Sequence, residues 1–81
     1  MLSRVHLKCF DEIVGQYKGI ERSDCETAIA IGDLKVVFPT GSAEAEVAME
    51  LLGEELMGTK IGLIRIDRRD KPLRVRTVKS Q

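Results

Sequence analysis

His6, Cys9 and Cys25 carry the side chains of this chain best suited to metal ligation or nucleophilic chemistry. A structural zinc takes four such ligands in tetrahedral array, and no second close pair follows to complete one. On an alternating strand, His6 and Cys9 would also leave opposite faces. A cysteine nucleophile needs a general base within reach. His6 is the only imidazole, and nothing local brings it to Cys25. The acid pairs Asp11-Glu12 and Glu54-Glu55 have the ordinary character of solvated turns and helix faces. Met57-Gly58-Thr59-Lys60 lacks the first glycine and the strand–loop–helix order of a phosphate loop. No set of acid, base and nucleophile can be assembled. The expectation is therefore a protein with no catalytic activity, no metal and no cofactor.

The residues with the strongest chemical signal are basic. The 81-residue chain has zero net charge, but its charge is polarised. Residues 1–59 hold five Lys/Arg against eleven Asp/Glu, and residues 60–81 hold eight against two. Such asymmetry predicts a surface with an acidic side and a basic side. Arg65, Arg68, Arg69, Lys71, Arg74 and Arg76 all fall within the basic part. Arg74 and Arg76 alternate with Leu73 and Val75, so both should leave the outer face of one strand. Cations on a hairpin suit phosphate, and an exposed ring beside them would stack on bases. The chain has only three aromatic residues, Phe10, Tyr17 and Phe38. Phe38 reads as core, and Tyr17 is the expected stacking residue, with Phe10 a further candidate. The same arginines also suit a plainer role, pairing with helix glutamates or solubilising an exposed hairpin.

The elements that would position these residues follow from periodicity. Val5, Leu7 and Cys9 alternate with Arg4, His6 and Lys8, and the alternation resumes through Ile13, Gly15 and Tyr17. Arg4–Ile20 reads as one long bent strand or two short ones, with Gly15 and Gly19 permitting a bend or bulge. Glu21–Glu26 is a polar connection. Thr27, Ile29 and Ile31 form the inward face of the next strand. Gly32-Asp33 suits a type II′ hairpin turn, and Leu34, Val36 and Phe38 give the strand that returns. A helix is predicted over residues 42–57: Ser42 is its N-cap, and Ala45, Ala48, Met49, Leu52 and Leu56 form its apolar stripe. Gly53 should fray or kink its last turn, and Gly58 ends it. Lys60–Asp67 and Leu73–Val78 are the last two strands, joined by a hairpin loop over 67–72.

Three strands, a helix and two more strands is the order of a small five-stranded Greek-key barrel of OB type. An SH3-like barrel, or a curved antiparallel sheet packed on a helix, would give similar patterns. The whole chain, residues 1–81, fits one domain with one thin core. No apolar run approaches the length of a membrane span, and the charges of Arg4, His6 and Lys8 do not fit a signal peptide. The chain thus reads as soluble and cytoplasmic, with its two thiols buried or idle in a reducing compartment. In an OB barrel, the loop joining the first two strands and the loop joining the last two flank the ligand groove. Two functional classes follow. One is a module binding single-stranded nucleic acid through the basic hairpin. The other is a protein-interaction or assembly module that joins to itself or to another protein through an edge strand or its charge polarity.

Overall fold

The computed structural model describes residues 3–78. In chain order the elements are β1 (Ser3–Val5), β2 (Glu12–Arg22), β3 (Glu26–Ile31), β4 (Leu34–Pro39), α1 (Ala43–Leu51), a 3-10 turn (Glu54–Leu56), β5 (Lys60–Arg65) and β6 (Leu73–Thr77). They form a mixed six-stranded sheet in the order β1-β4-β3-β2-β5-β6, with one helix packed against β4 and β6. All pairings are antiparallel except β1 with β4. The sheet is open, and β1 and β6 are its edges. The expected closed, five-stranded barrel is corrected on both counts. The alternation from Val5 to Tyr17 is broken by a non-strand segment at residues 6–11, so two strands form there, and β1 takes the edge beside β4.

β2 organises the sheet because it serves both halves. Residues 12–16 pair with β5, and residues 17–22 pair with β3. The change of partner needs a sharp coil, and two glycines permit it. At Gly15 an added β-carbon would lie 3.0 Å from the Cγ2 of Ile31, so only hydrogen fits comfortably. Gly19 has φ 130°, and the register slips between Tyr17 and Gly19. One extra residue reverses the alternation. Tyr17 faces inward opposite Ile31, and three positions later Ile20 does so opposite Ile29.

Local chemistry sets the hairpin and the helix. Ile31 and Leu34 are paired with only Gly32-Asp33 between them, and Gly32 has φ 58° while Asp33 does not enter the positive region. That is the Gly-first type II′ turn that the sequence predicts. At α1, the Ser42 hydroxyl accepts the Ala45 N–H at 3.2 Å, and Glu44 and Glu46 occupy the positive end of the dipole. The helix is shorter than the predicted 42–57. It stops before Gly53, whose extended backbone (φ −88°, ψ 171°) starts a separate 3-10 turn. A mid-helix glycine costs about 1 kcal/mol relative to alanine, and here that is enough to end the helix.

The core lies between the inner face of the curled sheet and α1. Its fully buried centre is Ile29, Ile31, Val36, Ala48, Ile61, Leu63 and Leu73. Thr27 is the one buried polar side chain among the described residues. Its Oγ1 lies 3.1 Å from that of Thr40, which itself donates to the Ser23 carbonyl at 2.7 Å. A hydroxyl has one proton, so Thr27 is the donor to Thr40. No helix among the described residues is long and apolar enough to cross a membrane.

Candidate functional site

β5 and β6 form the predicted hairpin, with Arg65 opposite Leu73 and the loop closed by the Ile66 N–H on the Pro72 carbonyl at 2.7 Å. The six predicted cations divide by face. Along β6, Leu73 is buried and Arg74 and Arg76 point outward, as the alternation requires. Arg65 has the parity of Ile61 and Leu63, so it enters from the inner face. There its Nη1 donates to the Leu7 carbonyl at 2.6 Å and its Nη2 to Glu44 Oε2 at 2.8 Å. Arg65 is thus a tie between the 6–11 segment, β5 and α1.

Arg76 is also engaged. Its Nε and Nη2 donate to the two carboxylate oxygens of Glu12 at 2.9 and 3.3 Å. This fork holds the Glu12 carboxyl below its ordinary pKa and raises that of Arg76. Arg68 lies 3.6 Å from Asp70 with both side chains well exposed, a contact of little energetic weight. Arg69, Lys71 and Arg74 make no ion pair among the described residues. The loop itself holds three cations against the carboxylates of Asp67 and Asp70.

Tyr17 does not join them. It is only 2% exposed, inside the core, and burial pushes its phenol pKa upward. The stacking role assigned to it is corrected, because the parity of β2 before its bulge turns this ring inward. The aromatic ring at the hairpin is Phe10, 69% exposed. The Phe10 N–H donates to the Arg65 carbonyl at 2.6 Å, and the Arg65 N–H donates to the Asp11 carbonyl at 3.1 Å. Its neighbour Cys9 lines an open cleft of about 420 Å³ together with Arg65, Asp67, Arg68 and Arg69. Parity is the sequence signal that separates the two rings, since Tyr17 falls with Leu7, Ile13 and Gly15 whereas Phe10 falls with Arg4, His6 and Lys8.

The second loop expected at the site, between β2 and β3, is residues 23–25. By register it stands at the far end of β2 from the basic loop, since Glu12 pairs with Ile64 whereas Arg22 pairs with Thr27. Arg22 at that end is exposed, and Arg4 of β1 is ion-paired with Glu26. Between the two ends, the outer face of the β2-β3-β4 meander carries a trough lined by Gly19, Ala28 and Ala30 together with Lys18, Lys35 and the carboxylate-bearing Glu21.

The thiols of Cys9 and Cys25 are free and exposed. Among the described residues, no group of three or more His, Cys, Asp or Glu is placed to hold a metal ion. No protein-family model, curated protein or solved structure matches this chain significantly.

Proposed function

We propose that this protein is a small module for binding single-stranded nucleic acid, with the loop at residues 66–72 and the adjacent part of β6 as its phosphate-contacting surface. The observation that carries this reading is the division of the hairpin cations. Arg65 and Arg76 are consumed by internal ties, whereas Arg69, Lys71 and Arg74 have no ion-pair partner among the described residues and Arg68 has only a loose one. Four cations on one hairpin, with an exposed aromatic residue hydrogen-bonded through its backbone to the strand that enters the loop, are the equipment of a sequence-tolerant single-strand binder. The contact set is therefore Arg68, Arg69, Lys71 and Arg74, with Arg65, Arg76 and Tyr17 acting as framework.

The fold reading that goes with this is an open OB-type arrangement with β1 added at one edge. Support comes from the double duty of β2, the helix between β4 and β5, and the loops at either end of β2. In such folds the ligand lies across the face of the second and third strands between those loops. Here that face is the outer side of β3 and β4, where Lys18 and Lys35 border the trough.

The test is anisotropy of a labelled single-stranded oligonucleotide titrated with protein across a salt series. Micromolar or tighter binding at low salt is expected, weakening steeply as salt rises. Replacing Arg68, Arg69 and Lys71 by alanine should reduce the log–log salt slope by about 2, at roughly 0.7 per phosphate contact. Absence of binding at low salt, or a slope indifferent to these residues, overturns the proposal.

A second reading is favoured by one specific feature. The edge strand β6 is open, and beside it Leu51 is 39% exposed in a cleft shared with Val75 and Ile66. An edge with apolar side chains is suited to strand addition by another protein or a second copy. A stable dimer in sedimentation, with no oligonucleotide binding, would select that reading instead.

A further inference from the structure

Phe10 occupies a backbone position built for glycine. It is the only non-glycine residue with positive φ among the described residues, at 69°. The Asp11 N–H donates to the Lys8 carbonyl at 3.0 Å, closing a four-residue turn in which Phe10 is the third residue and alone among the non-glycines takes positive φ. That combination defines a type II turn, whose third position favours glycine. Phe10 and Asp11 together also face the single residue Arg65, through the Phe10 N–H to the Arg65 carbonyl and the Arg65 N–H to the Asp11 carbonyl. This is a β-bulge of the kind whose first residue is ordinarily glycine in the left-handed region. The Asp11 carboxylate accepts the Lys8 N–H at 3.1 Å and locks the turn from the other side.

The turn and the bulge share this one left-handed residue, and a bulky side chain in that region is a genuine outlier. Packing gives no reason for the ring, which is 69% exposed. Glycine would make the same hydrogen bonds without strain, so the backbone does not account for the ring. Strain of this sort clusters at ligand clamps. One residue away, Cys9 lines the cleft that also contains Arg68 and Arg69.

We infer that Phe10 is a base-stacking platform, held outward by the bulge so that a nucleobase lies on its ring while phosphates meet the 66–72 loop. This rests on the single-strand-binding reading and adds to it the residue that contacts the bases. Stacking on an aromatic face is tolerant of base identity, so no strong sequence preference accompanies it.

The experiment compares wild type, Phe10→Gly, Phe10→Ala and Phe10→Trp for melting temperature and for affinity toward a single-stranded oligonucleotide and an abasic oligonucleotide of equal length. Phe10→Gly should melt at or above the wild-type temperature yet bind the normal oligonucleotide at least about fivefold more weakly, with the salt slope unchanged. Phe10→Trp should retain affinity. Wild type should fall to the level of Phe10→Gly on the abasic strand, where Phe10→Gly loses nothing further. If wild type binds but Phe10→Gly and Phe10→Ala bind equally well, stacking is overturned and the phosphate-binding proposal stands. If Phe10→Gly melts well below wild type, the ring is a structural element and the inference falls. If wild type binds no oligonucleotide at low salt, both fall. A wild-type dimer that Phe10→Ala converts to monomer would assign the ring to a protein contact instead.

Discussion

Arg76 grips Glu12 across a strand to which neither belongs. The two lie on β6 and β2, and between them Gly62 of β5 pairs with Arg76 on one side and Val14 on the other. A β-carbon at Gly62 would lie 2.9 Å from Glu12 Oε2 and 3.1 Å from Arg76 Nε. The absent side chain is the channel through which the fork passes. Three strands are thereby tied on the outer face, and one arginine of the hairpin is withdrawn from any ligand.

The pair gives stability a definite dependence on pH. Glu12 has a depressed pKa in the folded state. Its contribution is therefore fully present above the unfolded carboxyl pKa and is lost as pH falls through the lower, folded value. A carboxyl titration by NMR should place Glu12 below the ordinary range of a glutamate. Arg76→Gln or Gly62→Ala should return it toward the ordinary range and flatten the acid limb of the stability curve. If Glu12 titrates normally in the wild type, the fork does not persist in solution.

Arg65 is expected to matter for folding and not for ligand. Its two donors satisfy the Leu7 carbonyl and Glu44, whose side chain is 20% exposed, while Arg65 itself is 36% exposed. Arg65→Ala strands both partners and should cost about 1–2 kcal/mol after allowance for that exposure. Arg65→Lys cannot reproduce the planar fork and should recover only part of the loss. Denaturant unfolding measures both. The salt slope of oligonucleotide binding by Arg65→Ala should match wild type, in contrast to Arg69→Ala.

The threonine pair should respond asymmetrically. Thr40→Val removes the acceptor for Thr27, whose hydroxyl is then unpaired at a fully buried position, and should cost about 1–3 kcal/mol. Thr27→Val removes only a donor, and Thr40 keeps its bond to the Ser23 carbonyl, so the change should stay within about 1 kcal/mol. Equal costs in chemical denaturation would mean that the proton is not arranged as inferred here.

Much of the local structure was readable in advance, because its causes lie within a few residues. Thr27, Ile29 and Ile31 alternate with small neighbours and form a strand buried on one face. Gly32-Asp33 encodes its own turn, and Ser42 its own cap. The glycines at 15 and 19 announced a coil in the strand that carries them, and the strand does coil there. The hairpin that carries the candidate site, and the outward direction of Arg74 and Arg76, also follow from alternation alone.

Tertiary structure decided everything that depends on which strands become neighbours. Arg65 finds its carbonyl 58 residues away, and Arg76 its carboxylate 64 residues away, so no local pattern names those partners, although parity with Ile61 and Leu63 already turns Arg65 inward. In the sequence Tyr17 and Phe10 differ only by parity, the first falling with Leu7 and Ile13 and the second with His6 and Lys8. Pairing opposite Ile31, ahead of the bulge in β2, buries the first, and a bulge opposite Arg65 turns the second toward water. Closure of the sheet was likewise beyond reach, because a three-residue strand at the N-terminus takes the edge beside β4, and the free energy of that pairing is invisible to periodicity. Short-range sterics and hydrogen-bonding chemistry write the elements into the sequence, whereas the partners of charged and aromatic side chains are fixed only when distant segments pack.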